Sequence, residues 1–396
     1  MLAYITTGRS RADGPLDRKE EFPLHLTRRL VALGAASAII LTACGGTSAS
    51  PAASASSTEP VASEAPGSQP AVIDYKACAS FDAAGLGDKG FNDLAQKGLE
   101  DAKAAGFLTT FAEATGATDY AANLQRLMDE GCQTIIVVGS EQEQAASEAT
   151  LANPDVAFAH VDATWNEEAN GPTPANFTGL DFRVDEAATL AGYLASGFSK
   201  SKVLGTYGGQ QYPGVTRFMD GMYAGVKIYN EQNGTDVALL GWDAAKQKGT
   251  FVSGDNPWSD AAKGEQLAKQ LMDQGADIVH PVAGGTGNGS IKAMLAAGKW
   301  AIGVDSDQAL SLPEYSKAIL TSVEKRIDVA VLETIRKNEG GDMGGENYIG
   351  TLANDGVAIS PFHDLDAAVP ADLKAQVEKL EADIASGAIK VSDYLK

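Results

Sequence analysis

Short apolar segments of strand length alternate with amphipathic segments of helix length from residue 75 to residue 304, and this alternation restricts the fold more than any other feature. The predicted strands are 75–81, 133–138, 156–161, 202–207, 237–242, 278–282 and 300–304. The predicted helices are 91–105, 120–130, 141–151, 187–198, 214–229, 260–274 and 290–297. Strands that alternate with helices form βαβ units, so we expect an α/β protein with parallel sheets covered by helices on both faces.

The last fifth of the chain has a different pattern. A strand predicted at 318–322 and a helix predicted at 323–336 precede a loop rich in Gly and Asn. Residues 348–359 alternate in hydrophobicity as a strand does, and a long charged helix is predicted at 371–386. The chain beyond residue 71 is long enough for two lobes of the usual domain size, about 100–200 residues each.

The N-terminal region has the composition of a secretory signal. Arg28 and Arg29 precede an apolar run, 30–41, which is followed by small residues and Cys44. At 1.5 Å per residue, this run spans about 18 Å, which is too short for the roughly 30 Å hydrocarbon core of a membrane. We therefore predict a lipoprotein signal at residues 1–43, lipidation of Cys44 and attachment to the extracytoplasmic face of the cell membrane. The long acidic stretch before Arg28 predicts a translation start downstream of Met1.

Composition distinguishes a tether from the globular part and restricts the partners. Residues 44–71 consist mostly of Gly, Ser, Ala, Thr and Pro, which cannot bury apolar surface, so a flexible linker is predicted there. The whole chain has 31 Lys and Arg residues against 52 Asp and Glu residues, a net charge of −21. This charge argues against nucleic acid and anionic headgroups as partners, because both require a basic face.

Cysteines, histidines and sequence motifs limit the chemistry. Cys78 and Cys132 each lie at or near the start of a predicted strand, and both two buried thiols and one disulfide are compatible with the sequence. The four histidines have no paired-ligand spacing, so no metal site is predicted. The chain also lacks the GxSxG and GxxxxGK[ST] motifs, and we predict a protein without catalytic activity and without a cofactor.

The first polar cluster, 82–93, runs from the end of the first predicted strand into the first predicted helix. Its glycines permit a tight turn, and Phe91 and Asn92 begin the helix. The Asn92 amide offers both a donor and an acceptor, which suits the edge of a heterocycle. The alternative is structural, since Asn92 or Asp88 could simply cap the helix.

The second cluster, 283–290, lies between a predicted strand and a predicted helix, and Asp305 ends the following strand. Gly285, Gly287 and an acidic residue twenty positions after Gly285 resemble a dinucleotide fingerprint, in which the acid holds ribose hydroxyls. Ser290 stands where the third small residue of that fingerprint should be. The pattern therefore favours a ribose more than a whole dinucleotide.

A third set of candidates consists of charges and aromatic rings at strand ends and in loops. Lys325 follows one predicted strand and Asp162 another, and a buried Lys325 could pair with Asp305 while it donates to a sugar hydroxyl. The alternative for Lys325 is an ordinary surface charge. Four aromatic residues could stack on a base, although each could equally be a core residue. They are Phe91, Trp165, Phe251 and Trp258.

At these positions the chain resembles the basic membrane lipoprotein family, the nucleoside-binding components of ATP-driven importers. The segments that carry the resemblance are 88–92, 213–218, 283–289, 302–308 and 321–326. The resemblance covers almost all of the chain beyond the predicted linker. It implies a type I periplasmic-binding-protein fold, in which two lobes close over a nucleoside, and an ABC permease as the partner.

The resemblance also implies roles for residues at a base subsite. Phe91 would stack on the base, and Asn92 and Asp162 would bond to its edge. A second stacking ring is expected from the other lobe, with Trp258 or Phe251 as the candidate.

For the ribose, the resemblance implies that Asp305 and Lys325 hold the hydroxyls and that Gly284 lets the backbone approach. The chain departs from the family pattern at Gly90, where a Ser is usual, and at Glu324, where a small or apolar residue is usual. These departures leave the preferred nucleoside open.

The sequence thus predicts one lobe formed by residues 72–178 and 305–337, a second formed by 179–304 and 338–396, and three chain crossings between them. We expect a monomeric binding protein that captures nucleosides, with purines favoured, and delivers them to an importer. The alternatives are a sugar or signalling-molecule receptor of the same fold, a nucleoside-cleaving enzyme, and a lipid-anchored adhesin or receptor without a transport role.

Overall fold

The computed structural model describes residues 71–396, so the predicted signal, Cys44 and the linker up to residue 70 lie outside the described residues. The elements of the first half are β1 (Ile73–Phe81), α1 (Phe91–Ala104), β2 (Phe107–Glu113), α2 (Tyr120–Asp129), β3 (Thr134–Val138), α3 (Glu143–Ala152), β4 (Ala157–Val161), α4 (Glu167–Asn170) and β5 (Phe177–Phe182). The elements that follow are α5 (Val184–Phe198), β6 (Val203–Gly208), α6 (Pro213–Asn233), β7 (Ala238–Leu240), β8 (Trp242–Asp243), β9 (Lys248–Gly249), α7 (Ala261–Asp273), β10 (Ile278–Val282), α8 (Gly284–Ala296), β11 (Trp300–Asp305), α9 (Gln308–Ser311), β12 (Ile319–Lys325), α10 (Ile327–Glu339), β13 (Tyr348–Gly350), β14 (Val357–Ile359) and α11 (Ala371–Ala385).

Two six-stranded sheets organise these elements into two lobes. The first sheet has the strand order β13-β5-β4-β3-β1-β2, and all its neighbours are parallel. The second has the order β14-β12-β11-β10-β6-β7 and is parallel except for β14, which runs antiparallel to β12. The predicted α/β class with parallel sheets is confirmed. No helix within residues 71–396 is both long enough and apolar enough to cross a membrane.

The chain passes between the two sheets three times, after β5, after β12 and after β13. The first and third crossings are joined, because the Arg183 amide donates to the Gly350 carbonyl at 2.7 Å. The Arg326 amide of the second crossing donates to the Gly356 carbonyl at 3.0 Å, just beyond the third. The three crossings therefore form one hinge between the lobes.

Strand pairing assigns the later segments to lobes differently from the predicted boundaries. Residues 305–325 belong to the second sheet rather than the first lobe, because β12 pairs with β11 along its length up to Asp305 and Glu324. Conversely, β13 pairs with β5 in the first sheet, although residues 338–396 were all expected in the second lobe. By sheet membership, the first lobe contains residues 71–182 and about 327–350, and the second contains the rest.

Several elements differ from the predicted ones. Strands β2 and β5 were not predicted, and the region 348–359 is not one strand but two, β13 and β14, which belong to different sheets. Helix α10 begins at Ile327 rather than at residue 323, because β12 continues to Lys325.

The glycine-rich run after β10 is helical, whereas it was predicted to lie between a strand and a helix. Helix α8 begins at Gly284, and only Gly284 of this run has a positive φ, +51°. Gly289 is in close contact with the Ala261 carbonyl of α7, and Gly264 of α7 contacts the Thr286 carbonyl in the same way. The later glycines of the run therefore allow helices α7 and α8 to pack closely. In a dinucleotide fingerprint, the glycines instead let a phosphate approach the backbone.

Cys78 and Cys132 form a disulfide, which settles a point that the sequence left open. Cys78 lies in β1 and Cys132 precedes β3, and both are buried in a hydrophobic cluster with Leu124, Leu127 and Ile135. The disulfide thus fastens two neighbouring strands of the first sheet.

Candidate functional site

A cavity lies between the two lobes at the carboxyl ends of the strands, the position where open α/β sheets bind ligands. The first lobe contributes Asp82, Ala84, Asp88, Phe91, Asn92, Gly139, Ser140, Glu141 and Asp162. The second lobe contributes Tyr212, Gly214, Val215, Phe218, Trp258, Val282, Ala283, Gly284, Val304, Asp305 and Lys325. The lining contains one cation and several carboxyl groups, so the cavity is suited to a ligand that donates hydrogen bonds.

Lys325 is the centre of one polar cluster. Its ammonium group lies 2.5 Å from Asp162 Oδ2 and 3.7 Å from Asp305 Oδ1, and its side chain is only 2% exposed. It also lies 5.2 Å from the centre of the Phe91 ring and 5.0 Å from that of Phe218. Burial raises the pKa of Asp305 to about 6, although the nearby ammonium opposes the shift. This cluster can both donate to and accept from a pair of sugar hydroxyls.

The two carboxylates of this cluster share an unusual backbone conformation. Asp162 follows β4 with φ 60°, and Asp305 ends β11 with φ 65°, so both adopt the left-handed region, which most side chains avoid and Asp tolerates better than most. Such strain costs of order 1–3 kcal/mol and occurs preferentially at functional sites. Gly214 of α6 contacts the Asp162 carboxylate so closely that a Cβ atom there would lie 2.6 Å from Oδ2.

Asn92 belongs to a second polar cluster, at the start of α1. Its Nδ2 donates to Asp82 Oδ1 at 3.1 Å and to Asp88 Oδ2 at 3.3 Å, which fixes the orientation of the amide. Its Oδ1 is buried and has no partner among the described residues. Asp88 also accepts from the Asn92 backbone amide at 2.9 Å, so the capping interaction comes from Asp88. The Asn92 oxygen is therefore available as an acceptor for a ligand N–H group.

Aromatic side chains from both lobes border the cavity. Phe91 comes from the first lobe, and Tyr212, Phe218 and Trp258 come from the second. Phe251 instead packs edge-on against Trp242 at 6.1 Å and does not line the cavity. Trp165 packs against the ring of Phe177 and does not line the cavity either. Of the two candidates for a second ring, the structure thus brings Trp258 and not Phe251 to the site.

All seven ligand-binding residues predicted from the sequence line this one cavity. They are Phe91, Asn92, Asp162, Trp258, Gly284, Asp305 and Lys325. Their grouping differs in one respect, because Asp162 pairs with Lys325 rather than lying with Asn92. Within residues 71–396 no cluster of His, Cys, Asp and Glu side chains could hold a metal ion.

Thirteen of the twenty lining residues were not predicted as ligand contacts, and Asp82, Glu141, Tyr212 and Phe218 are among them. A signal for Asp82 was present, because it follows its strand directly, as Asp162 does. Glu141 lies in the turn after β3 and Tyr212 precedes α6, so neither is marked by a strand end.

Replacing Asp82 by Asn is expected to stabilise the protein at neutral pH. Burial raises the pKa of Asp82 to about 6 from its ordinary value of 3.8, so the folded state holds a proton that the unfolded state releases. The free-energy cost of ionising Asp82 in the folded state is absent below pH 4, grows as pH rises to 6 and reaches about 3 kcal/mol at pH 7.5. Both hydrogen bonds to this carboxylate end on Oδ1, which an Asn oxygen can replace.

The measurement is urea unfolding of wild type and Asp82→Asn at pH 7.5 and pH 5. We expect an increase in the free energy of unfolding of up to about 3 kcal/mol at pH 7.5 and about half as much at pH 5. Asp74→Asn, at an exposed position in β1, is the matched control and should change little. An equal effect at both pH values would contradict the ionisation argument.

Two comparisons identify the family to which the chain is similar. The sequence profile described as "ABC transporter substrate-binding protein PnrA-like" matches residues 75–394. The ABC transporter nucleoside-binding protein BmpA of Lactococcus lactis is 30% identical over 341 residues, which cover 80% of this chain and 89% of that protein. Basic membrane protein A of Borreliella burgdorferi is 31% identical over 246 residues, 62% of this chain and 66% of that protein.

Solved structures show the same fold. An ABC transporter solute-binding protein from Aeropyrum pernix superposes with a TM-score of 0.70 at 25% identity, covering 80% of this chain and 92% of that one. A transcriptional activator of the comK gene from Bacillus halodurans superposes at 0.63 with 20% identity, covering 80% and 99%. Two parallel sheets joined by three crossings make up the type I periplasmic-binding-protein fold. The chain therefore belongs to the PnrA-like family of ABC transporter substrate-binding proteins.

Proposed function

We propose that the protein captures a nucleoside between its lobes and delivers it to an ABC permease. The observation that carries this proposal is the combination, in one cavity, of an aromatic face with a buried lysine between two aspartates. A flat ring suits a base, and carboxylates beside an ammonium suit vicinal hydroxyls, which can donate and accept at once. The name of the Lactococcus lactis relative supports the same ligand class.

The base is proposed to contact Phe91, Trp258 and the open Asn92 oxygen. That oxygen and the neighbouring Asp82 carboxylate are acceptors, so they suit a base edge with an amine or a ring N–H group. Four aromatic side chains in one cavity provide more stacking surface than a single-ring base needs, which favours a purine. Asp305, Asp162 and Lys325 would then hold the ribose, with Gly284 at the cavity wall.

The protein is proposed to act outside the cytoplasm, as a lipid-anchored monomer. The arginine pair, the short apolar run and Cys44 support a lipoprotein signal, and residues 44–71 would tether the lobes to the membrane. The Cys78–Cys132 disulfide is in keeping with an oxidising compartment. Capture would proceed by hinge closure and without a change in any covalent bond of the ligand.

Isothermal titration calorimetry with guanosine, inosine, adenosine, uridine and ribose tests this function. We expect the purine nucleosides to bind more tightly than uridine and much more tightly than ribose. Ribose binding as strong as that of any nucleoside would support the sugar-receptor alternative instead. Chromatography of the recovered ligand supplies the second test, because free base in the mixture would indicate an enzyme.

Asp305→Ala is expected to weaken nucleoside binding about 30- to 150-fold, since it removes a charge-assisted hydrogen bond worth about 2–3 kcal/mol. The same titrations with guanosine and inosine measure the loss. Asp273→Ala, an exposed aspartate at the end of α7, is the control and should bind as wild type does. Unchanged affinity in Asp305→Ala would remove this carboxylate from the ribose contact.

A further inference from the structure

Glu141, which lines the cavity, connects the two lobes. It lies in the turn between β3 and α3 of the first lobe. Its Oε1 accepts a hydrogen bond from the indole N–H of Trp258, in the second lobe, at 3.2 Å. Its Oε2 accepts from the hydroxyl of Tyr120, in its own lobe, at 3.0 Å. Each carboxylate oxygen therefore has one donor, and only one of the two bonds crosses between lobes.

The Tyr120 hydroxyl is suited to hold this carboxylate in place. Tyr120 is only 3% exposed, and burial together with the Glu141 charge raises the pKa of its phenol well above the usual value. The hydroxyl therefore stays protonated and remains a donor. Because Tyr120 and Glu141 belong to the same lobe, their bond orients the carboxylate whether the lobes are open or closed.

Trp258 is positioned by contacts within its own lobe. Its ring packs directly on Gly209, where a Cβ atom would collide with it. Its backbone carbonyl accepts from the Thr286 amide of α8 at 3.0 Å. The indole N–H is thus presented to the first lobe by a fixed ring, and forming the bond to Glu141 requires little ordering of Trp258.

A second group of contacts between lobes lies around the loop before α1. The Lys89 carbonyl accepts from the hydroxyls of Ser306 and Ser311, at 2.7 and 3.1 Å. The backbone carbonyl of Asp88 accepts from the side-chain amide of Asn288 at 3.3 Å. These bonds use neutral donors and backbone acceptors, whereas the Glu141 bond has a charged acceptor and is the stronger type. The ion pair between Lys325 of the second lobe and Asp162 of the first also crosses between the lobes, but it belongs to the proposed ribose contact.

We infer that Glu141 is a closure latch, a positioning residue that fastens the closed lobes by holding the Trp258 indole N–H. The inference rests on the proposed function, because the closed lobes are taken to enclose a nucleoside. By holding the lobes closed, the bond slows the release of the ligand. Its loss should therefore accelerate ligand release and leave ligand entry into the open form unchanged.

Glu141→Ala removes the latch and leaves the Trp258 ring at the proposed base contact, whereas Trp258→Phe removes the N–H group and also changes the ring that contacts the base. With guanosine as the probe, stopped-flow measurement is expected to show dissociation from Glu141→Ala about 10- to 30-fold faster than from wild type. Tyr120→Phe is the matched control. It removes one hydrogen bond from the same carboxylate within one lobe, and its dissociation rate should change less than about threefold.

A double-mutant cycle with Glu141→Ala distinguishes the latch from two independent ligand contacts. If the two side chains act through one bond, Trp258→Phe should accelerate dissociation much less in the Glu141→Ala background than in the wild-type protein, and the remaining effect measures the contact of the ring with the base. Multiplicative effects of the two substitutions would overturn the inference, because they would mean that each residue acts on the ligand separately.

Small-angle X-ray scattering of the ligand-free protein keeps the latch testable if the proposed function fails. If neither guanosine nor inosine binds to wild type, the nucleoside assignment is wrong. The latch then predicts a larger radius of gyration for Trp258→Phe than for wild type and Tyr120→Phe. Equal radii in all three proteins would contradict it.

Discussion

Replacing Lys325 by Met is expected to lower the free energy of unfolding by about 3–5 kcal/mol at pH 7.5 and to abolish nucleoside binding. The ammonium group is buried between Asp162 and Asp305, so its removal leaves two aspartates in the cavity without a compensating charge. Leaving a buried charge unpaired costs more than the intact pair contributes. Urea unfolding followed by circular dichroism measures the loss.

The pH dependence of this loss identifies its cause. Burial already raises the pKa of Asp305 to about 6 and raises that of Asp162, and without Lys325 both should rise further. A carboxyl group whose pKa is higher in the folded state favours folding at low pH, and this advantage is lost as pH rises through the folded value. Lys325→Met should therefore be less destabilising at pH 5 than at pH 7.5.

Two further variants act as controls for Lys325→Met. The triple variant Lys325→Met, Asp162→Asn, Asp305→Asn removes all three charges, so it should regain most of the stability and still fail to bind. Lys97→Met changes a lysine whose side chain is 52% exposed and should cost less than about 1 kcal/mol. A triple variant as unstable as Lys325→Met would show that packing, and not charge, causes the loss.

The sequence was most informative where local pattern and tertiary structure coincide. The strand predicted at 278–282 is β10, with the same limits, because its apolar run is short and bounded by polar and glycine residues. Parallel strands alternating with helices require crossovers, and from this the α/β class follows. Candidate ligand-binding residues at strand ends could be proposed because parallel strands place their carboxyl ends at one edge.

The elements that were missed depend on partners far away in the sequence. Strand β2 contains adjacent threonines at a sheet edge, and β5 follows a loop rich in polar residues, so neither has a strong apolar run. The region 348–359 keeps its alternating pattern through two strands that pair with β5 and β12. Local periodicity could not show that the chain changes sheets between them, since pairing is decided by tertiary contacts.

Local sequence was also insufficient to predict the contacts of individual cavity residues. Residue type alone could not establish that Lys325 is buried, because an isolated lysine is usually exposed; its two carboxylate partners lie 163 and 20 residues away along the chain. The residue pattern left both a sugar contact and a surface charge open for Lys325, and the resemblance to a known family favoured the sugar contact. The partner of Glu141, Trp258, comes from the other lobe, and no sequence spacing predicts such a contact.

Removal of the disulfide is expected to have an effect of similar size to the loss of Lys325, with a different signature. The bond links residues 54 apart in sequence, and closing a loop of this length in the unfolded chain corresponds to about 4 kcal/mol of stabilisation. Cys78→Ala/Cys132→Ala should therefore lower the free energy of unfolding by about 2–4 kcal/mol. Reduction of wild type by a membrane-permeant phosphine should produce a comparable loss without any substitution.

This loss should not extend to the binding site, and that separates it from the Lys325 effect. Cys78 lies in the interior of β1 and Cys132 precedes β3, whereas the cavity is at the opposite, carboxyl ends of these strands. Guanosine affinity of the double alanine variant should stay within about twofold of wild type at temperatures where it remains folded, because the cost is paid mainly in the unfolded state. The loss should also vary little between pH 5 and pH 7.5, since neither cysteine titrates while bonded. A decrease in the free energy of unfolding below about 1 kcal/mol would show that the unfolded chain is already constrained around this pair. A large drop in guanosine affinity would mean that the β1–β3 pairing transmits strain to the Asp82 end of the sheet.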